Sequence, residues 1–132
     1  MIHDVAIVGG GPAGLSAALL LGRCCRTVLL CDAHRPRNAP SGSLNGFLTR
    51  DGIRPAELRR LGRAELRRYE TVEVRDVEVT DVVREPGHFV LVLAGGGRAA
   101  ARKLLLATGV VDELPPIPGL AALWGTSVFP CP

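Results

Sequence analysis

The apolar residues of this chain fall into short runs punctuated by glycine and proline, and the period of the runs changes along the sequence. Val5–Val8 is a continuous apolar run bounded by Asp4 and by glycine, as in a strand buried on both faces of a parallel sheet. Leu15 to Leu21 is rich in Ala and Leu and predicts a helix. Arg26 to Leu30 predicts a second short strand, closed by Asp32. Residues 33–43 hold Pro, Asn, Ser and Gly and predict a loop, and Arg50-Asp51-Gly52 a turn. Pro55 to Glu70 predicts a helix with Pro55 in its first turn and Leu58, Leu61, Ala64/Glu65 and Tyr69 along one side. Thr71–Val74, Val77–Val83, Phe89–Leu93 and Ala99–Arg102, separated by Glu85-Pro86-Gly87-His88 and Ala94–Gly97, predict a small antiparallel meander. Lys103 to Ala107 returns to an apolar run, and from Val110 the chain becomes a Pro-rich connector.

The implied fold is a three-layer α/β domain of Rossmann-like type. Its parallel sheet takes in residues near 4–8, 27–31 and 103–107, and the meander covers about 72–102.

The junction of the first run and the first helix carries the candidate chemistry. Gly9-Gly10-Gly11-Pro12-Ala13-Gly14 fits G-x-G-x-x-G, and strand, glycine turn, helix, strand and acid follow in order from Asp4 to Asp32. Each glycine has a physical task in a dinucleotide-binding turn. Gly9 permits the tight turn, Gly11 leaves room for a pyrophosphate against the backbone, and Gly14 lets helix and strand pack closely. The helix N-terminus supplies free N–H groups and a favourable dipole for the phosphates. Asp32, eighteen residues after Gly14, stands where a carboxylate reads ribose hydroxyls, and its charge would repel a 2′-phosphate. The motif alone does not separate FAD from NAD, and a glycine-rich turn that binds nothing has the same letters.

Composition narrows the partners. The chain has 132 residues, 47% of them hydrophobic, and a net charge of +3 carried by arginines and one lysine. That is globular, and too mildly basic to imply nucleic acid. The apolar N-terminus lacks a basic lead and is broken by glycine and Pro12, so it is not read as a signal peptide; no run is long enough to span a membrane. Cys24, Cys25, Cys31 and Cys131 have the spacing of neither a zinc site nor a secreted disulfide framework, which suits a reducing cytoplasm. Arg35, Arg37 and Asn38 leave the end of the second strand, where they could reach a ligand or simply face water. Arg59, Arg60, Arg63, Arg67 and Arg68 read as a solvated helix face, with an anion-binding surface as the alternative. His3, His34 and His88 belong to no recognisable constellation.

In this order, DVAIVGGGPAGLSAALLLGR, RNAPSGSLNGFLTRDG, the meander, KLLLATGVVDELPPIPG and WGTSVFPCP resemble the N-terminal FAD half of the thioredoxin reductase-like flavoproteins, within the pyridine nucleotide-disulphide oxidoreductases. The resemblance implies FAD as cofactor and NAD(P)H as co-substrate. It implies electrons passing from nicotinamide through FAD to a dithiol/disulfide, a small-molecule or protein disulfide substrate, and a homodimer at full length. Residues 1–115 would be the FAD-binding segment and 116–132 a connector toward an NAD(P)H-binding domain. Gly9, Gly11, Pro12, Ala13 and Gly14 fall on the pyrophosphate turn and Asp32 on the ribose position. Arg37 and Asn38 fall in the loop near the flavin, Asn45 beside the isoalloxazine, Val77 against the adenine, and Thr108-Gly109 on the A-T-G turn. Cys131 matches the first redox cysteine of a C-x-x-C. The second glycine motif and the closing Gly-Asp motif of full-length relatives have no counterpart here, so the sequence reads as a piece of such a protein. Two alternatives stay open: a flavoprotein without dithiol chemistry, ferredoxin-NADP reductase-like or monooxygenase-like, and a non-catalytic nucleotide-binding module.

Overall fold

The computed structural model describes residues 1–129. Among them the elements run β1 (Ile2–Val8), α1 (Pro12–Arg23), β2 (Val28–Cys31), α2 (Pro55–Leu66), β3 (Val72–Arg75), β4 (Val79–Glu85), β5 (His88–Leu93), β6 (Arg98–Leu106) and a single turn, α3 (Leu120–Leu123). The strands form one mixed sheet in the order β3-β2-β1-β6-β5-β4. β3, β2, β1 and β6 are mutually parallel, and β4 and β5 extend the sheet antiparallel beyond β6. This is the expected Rossmann-like architecture, a parallel sheet with a small antiparallel part.

The apolar runs become the core. Ala6 and Ile7 of β1 and Val28, Leu29 and Leu30 of β2 are fully buried. Alternation sends them to opposite faces: Ile7, Val28 and Leu30 join Leu15, Ala18 and Leu66 of the helices, whereas Ala6, Leu29 and Cys31 join Leu91, Leu93 and Ala101. Gly14, Ala18 and Gly22, four residues apart on α1, are buried and let the helix lie close to the sheet. A Cβ on Gly22 would come within 2.7 Å of Val72, and one on Gly62 of α2 within 3.1 Å of Leu15. At the opposite end of the strands Asp4 and Thr27 fix the register of β1 and β2. The Thr27 amide donates to Asp4 Oδ2 at 2.9 Å, and the Asp4 amide lies 2.9 Å from Thr27 Oγ1.

Three expectations need correction. Residues 72–75 belong to the parallel sheet, as edge strand β3 beside β2, and not to the meander. The alternating T-V-E-V suits either role; the α2 crossover before it decides, since a helix-length connection returns the chain parallel to the strand it left. Residues 98–106 form one strand rather than two pieces, pairing with β5 on one side and β1 on the other. On α2 the buried stripe runs through Pro55 and Leu66, while Leu58 and Leu61 are half-buried. No helix among the described residues is long and apolar enough to cross a membrane.

Candidate functional site

Strand order reverses between β1 and β6, which run parallel. From β1 the chain builds outward through β2 to β3, and β6 then returns on β1's other side. In open α/β sheets the crevice outside the carboxyl ends of the strands at such a switch point is where ligands bind. The turn at residues 9–14 occupies this place. The Gly9 amide donates to the Cys31 carbonyl at 2.8 Å and the Ala107 amide to the Val8 carbonyl at 2.8 Å, drawing together the ends of β1, β2 and β6.

Gly9 has φ +114°, and a Cβ there would lie 2.1 Å from the Ala107 carbonyl oxygen. A Cβ on Gly14 would lie 1.9 Å from the Gly9 carbonyl oxygen. Gly11 is the opposite case. It caps α1 in an extended conformation, and a Cβ there would meet nothing within 4 Å. The turn is thus closed against the protein at Gly9 and Gly14 and open outward at Gly11, the geometry of a cradle for an extended anionic group. Pro12 begins the helix and no side chain caps it, so the Ala13 and Gly14 amides stand in the first turn at the positive end of the helix dipole.

Asp32 sits at the end of β2, 5% exposed. Its Oδ1 accepts from the His34 amide at 3.0 Å and its Oδ2 from Arg59 at 2.7 Å, with Arg63 Nη1 3.6 Å from Oδ2. Burial alone would raise its pKa. The hydrogen bonds from His34 and Arg59 and the Arg59 charge outweigh burial and hold the carboxyl below the usual aspartate range. Arg63 is in turn paired with Asp76, whose Oδ1 lies 2.8 Å from His34 Nε2. His34, Arg59 and Arg63, which the sequence left outside any constellation or on a solvated face, therefore surround Asp32. No local signal marks them: the inward side of α2 is set by the burial of Pro55 and Leu66, and Arg59 follows Pro55 by one helical turn.

The other candidates lie around the crevice less tightly. Arg37 donates to both carboxylate oxygens of Asp112, at 2.8 and 2.7 Å, and ties the 33–43 loop to the segment after β6. Asn38 is half-buried in that loop, and Asn45 is exposed beside the Leu44–Ile53 bridge, its Oδ1 3.5 Å from Ser43 Oγ. Val77, between β3 and β4, packs against the core face that contains Leu29 and Cys31. Thr108 and Gly109 are exposed immediately after β6, and Gly109 has φ +68°. Cys131 lies outside the described residues. No cluster of three or more His, Cys, Asp or Glu able to hold a metal occurs among the described residues.

The sequence profile of the pyridine nucleotide-disulphide oxidoreductases matches residues 3–131. Over 98% of its length the chain is 41% identical to a thioredoxin reductase of Aspergillus oryzae, of which it covers 42%. It is 37% identical, again over 98% of its length, to a probable thioredoxin reductase of Arthroderma benhamiae, of which it covers 34%. Among solved structures, a putative thioredoxin reductase from Bacillus anthracis superposes with a TM-score of 0.94 at 38% identity, covering 98% of this chain and 44% of that one. An oxidoreductase from Agrobacterium tumefaciens gives 0.91 at 44% identity, covering 96% and 43%. The chain spans 34–42% of the length of these two curated relatives.

Proposed function

The chain belongs to the pyridine nucleotide-disulphide oxidoreductase family, and from that premise we propose that it is the FAD-binding portion of an NAD(P)H-dependent flavoprotein of the thioredoxin reductase-like type. Proteins of this kind bind FAD and use NAD(P)H. The observation that carries the reading is the glycine turn. Gly9 and Gly14 are closed against backbone, Gly11 is open, and Asp32 stands at the end of the next strand. These residues fit FAD in size, charge and order.

In this reading the chain binds and orients. The Ala13 and Gly14 amides and the α1 dipole hold the pyrophosphate, with Gly11 allowing close approach. Asp32, kept ionised, accepts hydrogen bonds from ribose hydroxyls. Val77 lines the adenine end, and Asn38, Asn45, Thr108 and Gly109 lie toward the flavin. Arg37 acts there through the loop that its pair with Asp112 tethers. The bound flavin would supply two-electron transfer between a nicotinamide and a disulfide.

Residues 1–115 form the FAD-binding segment in this proposal, and 116–132 lead toward a nicotinamide-binding domain. Leu106, Val110, Val111 and Ile117 are exposed, as a surface that further polypeptide covers would be. Cys131 is assigned as one half of the redox dithiol, with a disulfide as substrate and a homodimer as the assembly.

The test is equilibrium binding of FAD and of NAD to the full-length protein and to Gly11→Val. FAD binding that the valine abolishes is expected, since a branched side chain would fill the pyrophosphate cradle. Tight NAD binding without FAD binding, or unchanged FAD affinity in the variant, would refute the assignment. For the dithiol, NAD(P)H-dependent disulfide reduction is expected to disappear in Cys131→Ser. Full activity in that variant would place the protein among flavoproteins without dithiol chemistry.

A further inference from the structure

Arg59 touches both halves of the proposed cofactor site. Its Nη2 donates to Asp32 Oδ2 at 2.7 Å, and its Nε lies 3.4 Å from the Gly10 carbonyl oxygen in the phosphate turn. The side chains of Arg59 and Asp32 are 15% and 7% exposed. A solvated surface pair would count for little, but here removing one partner leaves a charge in a largely water-free setting.

Every group facing Asp32 belongs to one network. From the loop after β2 come the His34 amide and, at 3.8 Å, His34 Nδ1; from α2 come Arg59 and Arg63. Asp76, after β3, holds Arg63 and His34 from behind, and Arg59 Nη2 lies 3.3 Å from His34 Nδ1. The two arginines and two aspartates balance, so this is not a free anion site. A carboxylate offers about four lone-pair positions. The His34 amide and Arg59 take two, which leaves one on each oxygen for a pair of vicinal hydroxyls.

We propose that Arg59 is a positioning residue for the cofactor: it fixes the Asp32 carboxylate as an ionised acceptor and ties it to Gly10, so that the ribose-reading and phosphate-holding parts of the site are organised together before FAD arrives. This rests on the assignment of FAD to the glycine turn. A purely structural Arg59 would dock α2 without affecting how tightly FAD binds. An Arg59 that merely occupies Asp32 would compete with ribose, and its removal would tighten binding.

The experiment measures the FAD dissociation constant of the full-length protein between pH 5 and 8 for wild type, Arg59→Gln, Arg59→Lys, Asp32→Asn and the Arg59→Gln/Asp32→Asn double variant. The Asp32 carboxyl is followed by carbon NMR in the cofactor-free proteins. Arg59→Gln is expected to weaken FAD by about tenfold or more at neutral pH, the scale of a lost charge-assisted hydrogen bond. The loss should deepen toward pH 5 as the buried Asp32 takes up a proton, and the NMR titration should move upward with it. Arg59→Lys keeps the charge but not the reach to Gly10, so it should keep the wild-type pH profile with intermediate affinity. The double variant should lose no more than Asp32→Asn alone. If Arg59→Gln does not fold, Arg59→Lys decides: affinity equal to wild type overturns the proposal. Wild-type affinity and pH profile in Arg59→Gln, tighter binding, or additive losses in the double variant also overturn it while leaving the FAD assignment standing. A wild-type protein that binds no FAD overturns both.

Discussion

A Cβ added to Gly10 would stand 2.3 Å from Oδ2 of Asp32. The glycine motif requires nothing of its second letter, yet here the glycine turn and the Asp32 carboxylate are in backbone-to-side-chain contact. Asp32 cannot easily retreat, because the His34 amide holds one oxygen and Arg59 the other. The two functional elements of the site thus define each other's position.

Gly10→Ala and Gly11→Ala should therefore behave oppositely. Gly10→Ala overpacks a pinned neighbour and should destabilise the cofactor-free protein by about 1–3 kcal/mol. Gly11→Ala meets open space and should change that stability by less than about 0.5 kcal/mol, while still weakening FAD. Denaturant unfolding without FAD, paired with FAD titration, checks both. Equal stability losses in the two variants would contradict the open cradle at Gly11.

The skeleton of this site is legible in the sequence because it depends on short-range rules. The apolar run Val5–Val8, the glycine turn and the helix that follows sit within one βαβ unit, and periodicity and backbone sterics specify them. What surrounds Asp32 is not legible in the same way. Arg59 and Arg63 reach it only because α2 crosses back over α1, which brings residues 27 and 31 positions away into contact. A run of arginines gives no hint of which face is turned inward until the buried Pro55–Leu66 stripe is known. The parallel pairing of edge strand β3 is hidden for a related reason, since it is set by the preceding crossover and not by the strand's own letters.

Acid should destabilise the protein in part through Asp32. Its pKa is lowered on folding, so its contribution is fully present above the unfolded-state value near 4 and is lost as pH falls through the lower folded-state value. Unfolding midpoints measured from pH 6 down to pH 2 should fall below about pH 4. Asp32→Asn should flatten part of that decline, and an identical slope in the variant would show that Asp32 is not held ionised.

Arg37 and Asp112 predict a local effect more than a global one. Both are partly exposed, at 43% and 21%, so even with two-point geometry the pair should add little to global stability. Its larger consequence is the tether between the 33–43 loop and the segment after β6. Asp112→Asn should unfold close to wild type yet be cut faster by trypsin after Arg37. Cleavage at the wild-type rate would mean the loop is held by its other contacts.

The cysteines should separate by position. Cys31 is 1% exposed on β2, and burial pushes its thiol up to about 11, so at pH 8 it is neither ionised nor accessible. Cys24 and Cys25 are exposed at the end of α1, the latter in the left-handed region at φ 55°, where the chain turns toward β2. With a thiol reagent at pH 8 the native protein should lose Cys24 and Cys25 rapidly, whereas Cys31 should react only once the protein is unfolded. Peptide mapping after timed alkylation distinguishes the three. Rapid labelling of Cys31 in the native state would mean that the β1–β2–β3 core opens locally, and with it the backbone that holds Gly9 against Cys31 and Asp32 against Arg75. Slow labelling confines fast thiol chemistry among the described cysteines to the far end of α1. A cysteine that exchanges electrons with a flavin at the carboxyl ends of the strands must then come from elsewhere in the chain, as the assignment of Cys131 requires.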